Sequence, residues 1–204
     1  MSTDKFVGMA TRAESAAQTR QALLDAAVVL LDRGGPEAVT LRDVGAGAGV
    51  SRSAAYRHFV DKDALLKAVA TDAWAAVAVG LDAITGDESL SPERALRTAL
   101  GALSDLGHSR PHLYRLMFAQ TTDEPASVAE AAGRAQDTFL ELVGRLVGGE
   151  RARPYAGVLM AAAHGVTDLD LTGHLPREKW HADRHQLIDL VVGMIPFPSE
   201  PPRG

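Results

Sequence analysis

From Thr40 to Phe59 the chain reads as two short helices meeting at a single glycine, and neither is long enough to stand alone. Thr40 followed three residues later by Asp43 is the pattern of a helix N-terminus with a carboxylate in its first turn. Ser51 repeats the signal. Gly49 lies between these caps, where a chain leaving a helix adopts a left-handed residue at little steric cost. Leu41, Val44 and Ala48 form a narrow apolar stripe on the first helix, and Val50, Ala54, Ala55 and Phe59 form one on the second. Both stripes need longer neighbours to pack against.

Those neighbours are present. Leu23, Leu24, Ala27, Leu30 and Leu31 recur at helical spacing between Ser15 and Arg33, and Gly34, Gly35 and Pro36 end that helix. Asp61 caps a long helix through Leu65, Leu66, Val69, Ala73, Trp74, Val77 and Leu81, broken at Gly86 and Asp87. Ser91 and Pro92 open another, through Leu96, Leu100 and Leu103. Further helices are expected from Pro111 to Ala119, Glu124 to Val147, Ala152 to Leu171 and Arg177 to Ile195, where Pro196 stops the last helix. Strand signals are absent, so the expected fold is all-α with about nine helices. Four segments follow: a mobile arm over 1–14, a helix-turn-helix domain over 15–62, an effector-binding and dimerisation domain over 63–196, and a tail over 197–204. The helix from Asp61 connects the two domains.

The second helix of the pair carries Ser51, Arg52, Ser53, Tyr56, Arg57 and His58, donors suited to phosphate oxygens and base edges. Lys62 sits at the start of the next helix, where the dipole disfavours a cation but a phosphate would favour one. The whole chain is at −5, yet between Val39 and Lys67 five basic residues (Arg42, Arg52, Arg57, Lys62, Lys67) stand against three acids (Asp43, Asp61, Asp63). The positive charge is local, as a double-stranded DNA surface requires.

These residues carry a resemblance. The run from Gln18 to Ala70, with Thr40 to Val44, Gly49 to Ser51 and Tyr56 to Lys62 as its motifs, resembles the DNA-binding domain of the TetR family. The resemblance implies phosphate contacts at Thr40, Tyr56, His58 and Lys62, and base-reading positions at Arg42, Ser51, Arg52, Ser53 and Arg57. Gly45 stands where the family usually has alanine, and Gly47 adds a second flexible residue, weakening the first helix by about 1 kcal/mol per glycine. Farther on, Pro111 to Phe118 and Ala163-His164-Gly165 resemble the family's C-terminal domain type whose signature ends in Trp-His-Gly, with Ala163 in place of the tryptophan. The family implies a repressor that holds a palindromic operator as a homodimer and is released by a small effector.

Several features of the remaining chain bear on that expectation. Leu187, Ile188, Leu190, Val191, Val192 and Ile195 leave the final helix little solvent face, and Gly157, Ala161 and Gly165 make a small-residue ridge at spacing four. A homodimer through the last two helices would cover both. An apolar effector cavity is expected among Trp74, Leu103, Leu106, His112, Met117, Phe118, Phe139, Val143, Met160 and His164, with the two histidines as polar anchors. His164 and Asp168, like His181 and His185, lie one turn apart and suit a metal or a small helical enzyme, although an ordinary helix-end pair is the preferred reading. No catalytic motif occurs, no cofactor or metal is implied, and zero cysteines exclude thiolate chemistry. No apolar run approaches about 18 residues and Met1 to Ala10 lack a signal peptide's apolar stretch, so a cytoplasmic protein without a membrane partner is expected.

Overall fold

The computed structural model describes residues 12–119 and 126–195, and among them every regular element is a helix. The first helix, α1 (Arg12–Gly34), begins inside the expected arm, so residues 12–14 are helical. The rest of that arm, the expected helix start at Glu124, the stop at Pro196 and the tail lie outside the described residues. The chain divides into two compact units, Met1–Val69 and Ala70–Gly204, with the boundary inside a continuous helix.

In the first unit, α1 is followed by a 3-10 turn over Pro36–Ala38, then α2 (Leu41–Gly47), α3 (Arg52–His58) and the opening turns of α4 (Lys62–Gly86). The helix ends are set by side chains. Thr40 Oγ1 accepts the Asp43 amide at 3.1 Å, Ser51 Oγ accepts that of Ala54 at 3.2 Å, and Asp61 accepts that of Ala64 at 2.7 Å. Each cap satisfies an amide that the helix leaves without a partner. Gly49 has a φ of 67°, the left-handed turn between α2 and α3. Leu23, Leu24, Ala27 and Leu31 of α1 are buried together with Leu41, Val44, Ala54, Ala55, Phe59, Leu65 and Leu66. At roughly 1.5–3 kcal/mol for each large buried side chain, this small core offsets the low intrinsic stability of α2 and α3.

The second unit contains α5 (Pro92–Ser109), α6 (Pro111–Phe118), α7 (Ala126–Val147), α8 (Gly149–Leu171), α9 (Arg177–Trp180) and α10 (Arg184–Gly193). Its core joins Leu96 and Leu100 of α5, Phe139, Leu142 and Val143 of α7, Leu159 and Ala163 of α8, and Ile188 and Val192 of α10. At the crossing of α5 and α8, a Cβ on Gly107 would come within 2.5 Å of the Thr167 methyl, so only glycine fits there. Thr167 Oγ1 donates back to the Ala163 carbonyl at 2.8 Å and lies 3.0 Å from Ser104 Oγ, so this buried polar pair is satisfied.

The last expected helix is divided in two. His181 adopts a left-handed φ of 52° and ends α9, and Asp183 starts α10 with a capping box shared with Gln186. The about nine expected helices are otherwise present, and the division yields ten among the described residues. Ion pairs hold α10 to α5: Arg97 to Asp189 at 3.0 Å, and Arg184 and His185 to Asp105 at 2.6 and 3.0 Å. By length and composition α4 would pass as a membrane span, although Asp63, Lys67, Asp72 and Asp82 interrupt its apolar residues. Its Leu65, Leu66, Val69, Trp74 and Ala78 are buried in the fold.

Candidate functional site

The first unit presents one polar face built on α3. Ala54 and Ala55 are buried, which turns Arg52, Ser53, Tyr56 and Arg57 to solvent along the opposite side of the helix. Ser51 begins this face, its Oγ 3.0 Å from that of Ser53. The Arg52 guanidinium lies 5.5 Å from the centre of the Tyr56 ring, a cation–π contact that orders both side chains without covering their donors. Arg42 is exposed on α2 and His58 is half-buried at the end of α3. Thr40 is exposed at the start of α2, and its hydroxyl proton goes to the Asp43 carboxylate at 2.7 Å. Lys62 stands at the first position of α4, its Nζ 3.9 Å from Glu37. Glu37 is almost fully exposed, so that loose pair is worth little and leaves the ammonium available to a phosphate. All nine sequence-derived residues therefore belong to one unit, with α3 at its surface as a rigid presenter of two arginines.

The second unit holds an apolar cavity of about 330 Å³. Five of the expected residues line it: Trp74, Leu103, Leu106, Phe139 and Met160. The other five are not in its wall. Met117 and Val143 are buried elsewhere, Met117 on the inner side of α6 and Val143 within the helical core. His112 is half-buried and outside the lining residues. Phe118 and His164 are occupied by an aromatic cluster: their ring centres are 4.5 Å apart, Phe118 lies 5.3 Å from Trp74, and the Tyr114 hydroxyl is 2.8 Å from His164 Nδ1. Burial pushes the Tyr114 phenol up to about 12, helped by the nearby Asp168 charge and opposed by a hydrogen bond with Thr167. It stays protonated at neutral pH, and its hydrogen bond with His164 Nδ1 engages that imidazole with Tyr114, outside the residues that line the cavity.

The charged lining residue that the sequence did not single out is Arg110, at the α5 to α6 corner. Its signal was the α5 stripe itself, since Ala99, Leu103, Leu106 and Arg110 follow at intervals of three or four. Small residues were missed as well: Ala73, Ala76 and Gly80 of α4 and Ala102 of α5 make room that larger residues would fill. Ala163, where the resembled motif has tryptophan, packs in the core and does not open the cavity. Among the described residues no three His, Asp or Glu side chains gather for a metal ion.

Residues 23–69 match the family profile described as "Bacterial regulatory proteins, tetR family", and residues 96–195 match that described as "Tetracyclin repressor-like, C-terminal domain". The first match contains all nine residues of the polar face, and the second contains α5 to α10. No curated protein matches the sequence. Among solved structures, a protein of unknown function from Rhodococcus sp. RHA1 superposes with a TM-score of 0.74 at 22% identity, covering 86% of this chain and 91% of that one. RolR in complex with resorcinol gives 0.60 at 22% identity, covering 90% of each chain. FadR from Bacillus subtilis in complex with stearoyl-CoA gives 0.61 at 12% identity, covering 85% of this chain and 96% of that one.

Proposed function

The chain belongs to the TetR family of bacterial regulators, which bind DNA and small-molecule effectors as dimers, and from that premise we propose a cytoplasmic repressor released by a largely apolar effector. The observation that carries the reading is the exposed face of α3, where Arg52 and Arg57 stand clear of a helix pinned by Ala54 and Ala55. An arginine that forks onto guanine contributes roughly 1–3 kcal/mol of discrimination against a wrong base, and a helix fits the major groove. Two copies of α3 about 34 Å apart would meet successive major grooves of a palindrome.

The dimer is proposed to form through α8 and α10. On α10, Ile188 and Val192 face the core, leaving Leu190 and Met194 57% and 77% exposed, and Val158 and Leu169 of α8 are exposed as well. A Cβ placed on Gly157 or Gly165 would meet nothing within 4 Å, so the small-residue ridge faces open space where a partner helix could approach closely. The effector is proposed to occupy the apolar cavity. Resorcinol in RolR and stearoyl-CoA in FadR support the cavity reading, since proteins of this fold hold molecules with substantial apolar parts.

Release then follows from linkage. Because α4 both begins beside α3 in the chain and lines the cavity, a ligand that favours one setting of α4 alters the DNA-binding population. A coupling of about 1–3 kcal/mol changes operator occupancy by about 5- to 150-fold. Selection of bound fragments from genomic DNA tests the proposal. Arg52→Ala should relax base preference at one position of the recovered palindrome, whereas Lys62→Ala should weaken every sequence and lower the salt slope by about one. If neither substitution alters binding, the recognition surface is wrong. Stoichiometric metal in the purified protein together with no sequence-selective DNA retention would favour an enzyme or metal-binding protein built on His164 and Asp168.

A further inference from the structure

Arg52 opens α3, and its charge is poorly placed for a helix start. A helix dipole disfavours a cation in the first turn, and α3 contains no acid that would offset it. The hydroxyls beside it are already engaged, since Ser51 Oγ accepts the Ala54 amide and lies 3.0 Å from Ser53 Oγ. What meets the Arg52 guanidinium is a ring. Tyr56 stands four residues on, on the same side of the helix, and helical side chains lean toward the N-terminus, so its ring reaches back over the turn that carries Arg52. The guanidinium carbon lies 5.5 Å from the ring centre, within the range where the negative face of a ring attracts a cation. Tyr56 is 47% exposed, so it contributes little to the core of its unit.

We infer that Tyr56 is a positioning residue for base recognition, its ring holding the Arg52 guanidinium in the orientation from which that arginine distinguishes guanine. This rests on the reading of the α3 face as the DNA surface. It is a different task from the phosphate contact that the family resemblance implies for Tyr56, because one uses the ring and the other the hydroxyl. A long arginine loses rotamer freedom when it forks onto a guanine edge, and a ring that already limits those rotamers lowers that loss. The guanidinium donors point outward in its own plane, so a ring against its face leaves them open to the base. An arginine that is not held can re-aim at a neighbouring base or phosphate when guanine is replaced. One held by a ring cannot, so the contact sharpens discrimination as well as affinity.

The test uses the full chain and a duplex carrying the palindrome that the parent protein selects from random DNA, with each base pair of the half-sites substituted in turn. Arg52→Ala marks the position that Arg52 reads, as the one whose discrimination it relaxes. Tyr56→Phe keeps the ring and removes the hydroxyl, so it should weaken binding to every duplex by about two- to tenfold, as for one lost hydrogen bond, with discrimination at the marked position unchanged. Tyr56→Leu removes the ring too, and should add a loss of about two- to fivefold in discrimination at that position alone, the size of an exposed cation–π contact. In the Arg52→Ala background, Tyr56→Phe and Tyr56→Leu should discriminate alike. A loss confined to one base position is a readout that partial unfolding cannot produce, since that would weaken every duplex equally. Equal discrimination at the marked position in Tyr56→Phe and Tyr56→Leu, or a Tyr56→Leu loss that persists undiminished without Arg52, would overturn the positioning role and leave the DNA surface standing. No palindrome selected by the parent, or no position relaxed by Arg52→Ala, would overturn both.

Discussion

Three glycines within five positions of the helix-turn-helix should respond to alanine in three different ways. Gly45 is buried in the interior of α2, and a Cβ there would meet the Ala55 methyl at 3.5 Å and the Val50 carbonyl at 3.6 Å, ordinary van der Waals distances. Gly45→Ala therefore gains about 0.8–1.0 kcal/mol of helix propensity without a clash. Burial of the new methyl adds up to about 0.8 kcal/mol, for a total of about 1–2 kcal/mol. Gly47 is the last residue of α2, and a Cβ would lie 3.2 Å from the Ala26 methyl on α1, so the helices must part by a few tenths of an ångström. That strain should cancel most of the propensity gain, leaving Gly47→Ala within about 0.5 kcal/mol of the parent. Gly49 has open space around its Cβ position but a φ of +67°, so Gly49→Ala should cost about 1–2 kcal/mol through the backbone alone. The assay is thermal unfolding followed by circular dichroism. If the chain melts in one transition, Gly45→Ala should raise Tm by about 2–4 °C, and by about 4–8 °C if the first unit melts separately. A Gly45→Ala protein that melts at or below the parent temperature, or a Gly49→Ala protein that does not melt earlier, would refute the reasoning.

Other outcomes follow from the second unit. Gly107→Ala should destabilise it by about 1–3 kcal/mol, since the Thr167 methyl and the Tyr114 ring leave the new Cβ no room; chemical denaturation at unchanged helix content measures this. Val158→Arg combined with Leu190→Asp should convert the proposed dimer to monomer in sedimentation equilibrium while the parent melting profile of the monomer is largely kept, because both side chains are exposed within one chain. Burial pushes the Asp105 carboxyl up, but the Arg184 hydrogen bond and the His185 charge outweigh it and hold the group below the usual carboxylate range. A depressed carboxylate contributes stability above its unfolded value of about 3.9, and the contribution is lost as pH falls through the lower folded value. Acid titration of helix content should therefore show α10 loosening below about pH 4, and Asp105→Asn should show the loosened state at neutral pH. The effect is small, under about 1 kcal/mol, because the pair is half-exposed.

What the sequence by itself determined was whatever depends on neighbours along the chain. Thr40, Ser51 and Asp61 specify helix starts through amides three residues away, Gly49 specifies a left-handed turn through its missing Cβ, and helical periodicity specifies which side of α3 is buried. The exposure of Arg52, Ser53, Tyr56 and Arg57 was legible for that reason, since a short helix with one buried face has only one other to offer. The capping box of Asp183 and Gln186 is equally local, although the apolar pattern of α10 runs on past it and masks the break. Tertiary structure alone decided what depends on distance in space. The hydrogen bond between His164 and Tyr114, fifty residues earlier in the chain, is one such contact. Arg110 carried no expectation from the sequence, and only the packing of α4 against α5 makes it part of the cavity lining. A polar side chain's role is set by which groups converge on it, and that convergence is a product of packing, which no spacing along one helix encodes.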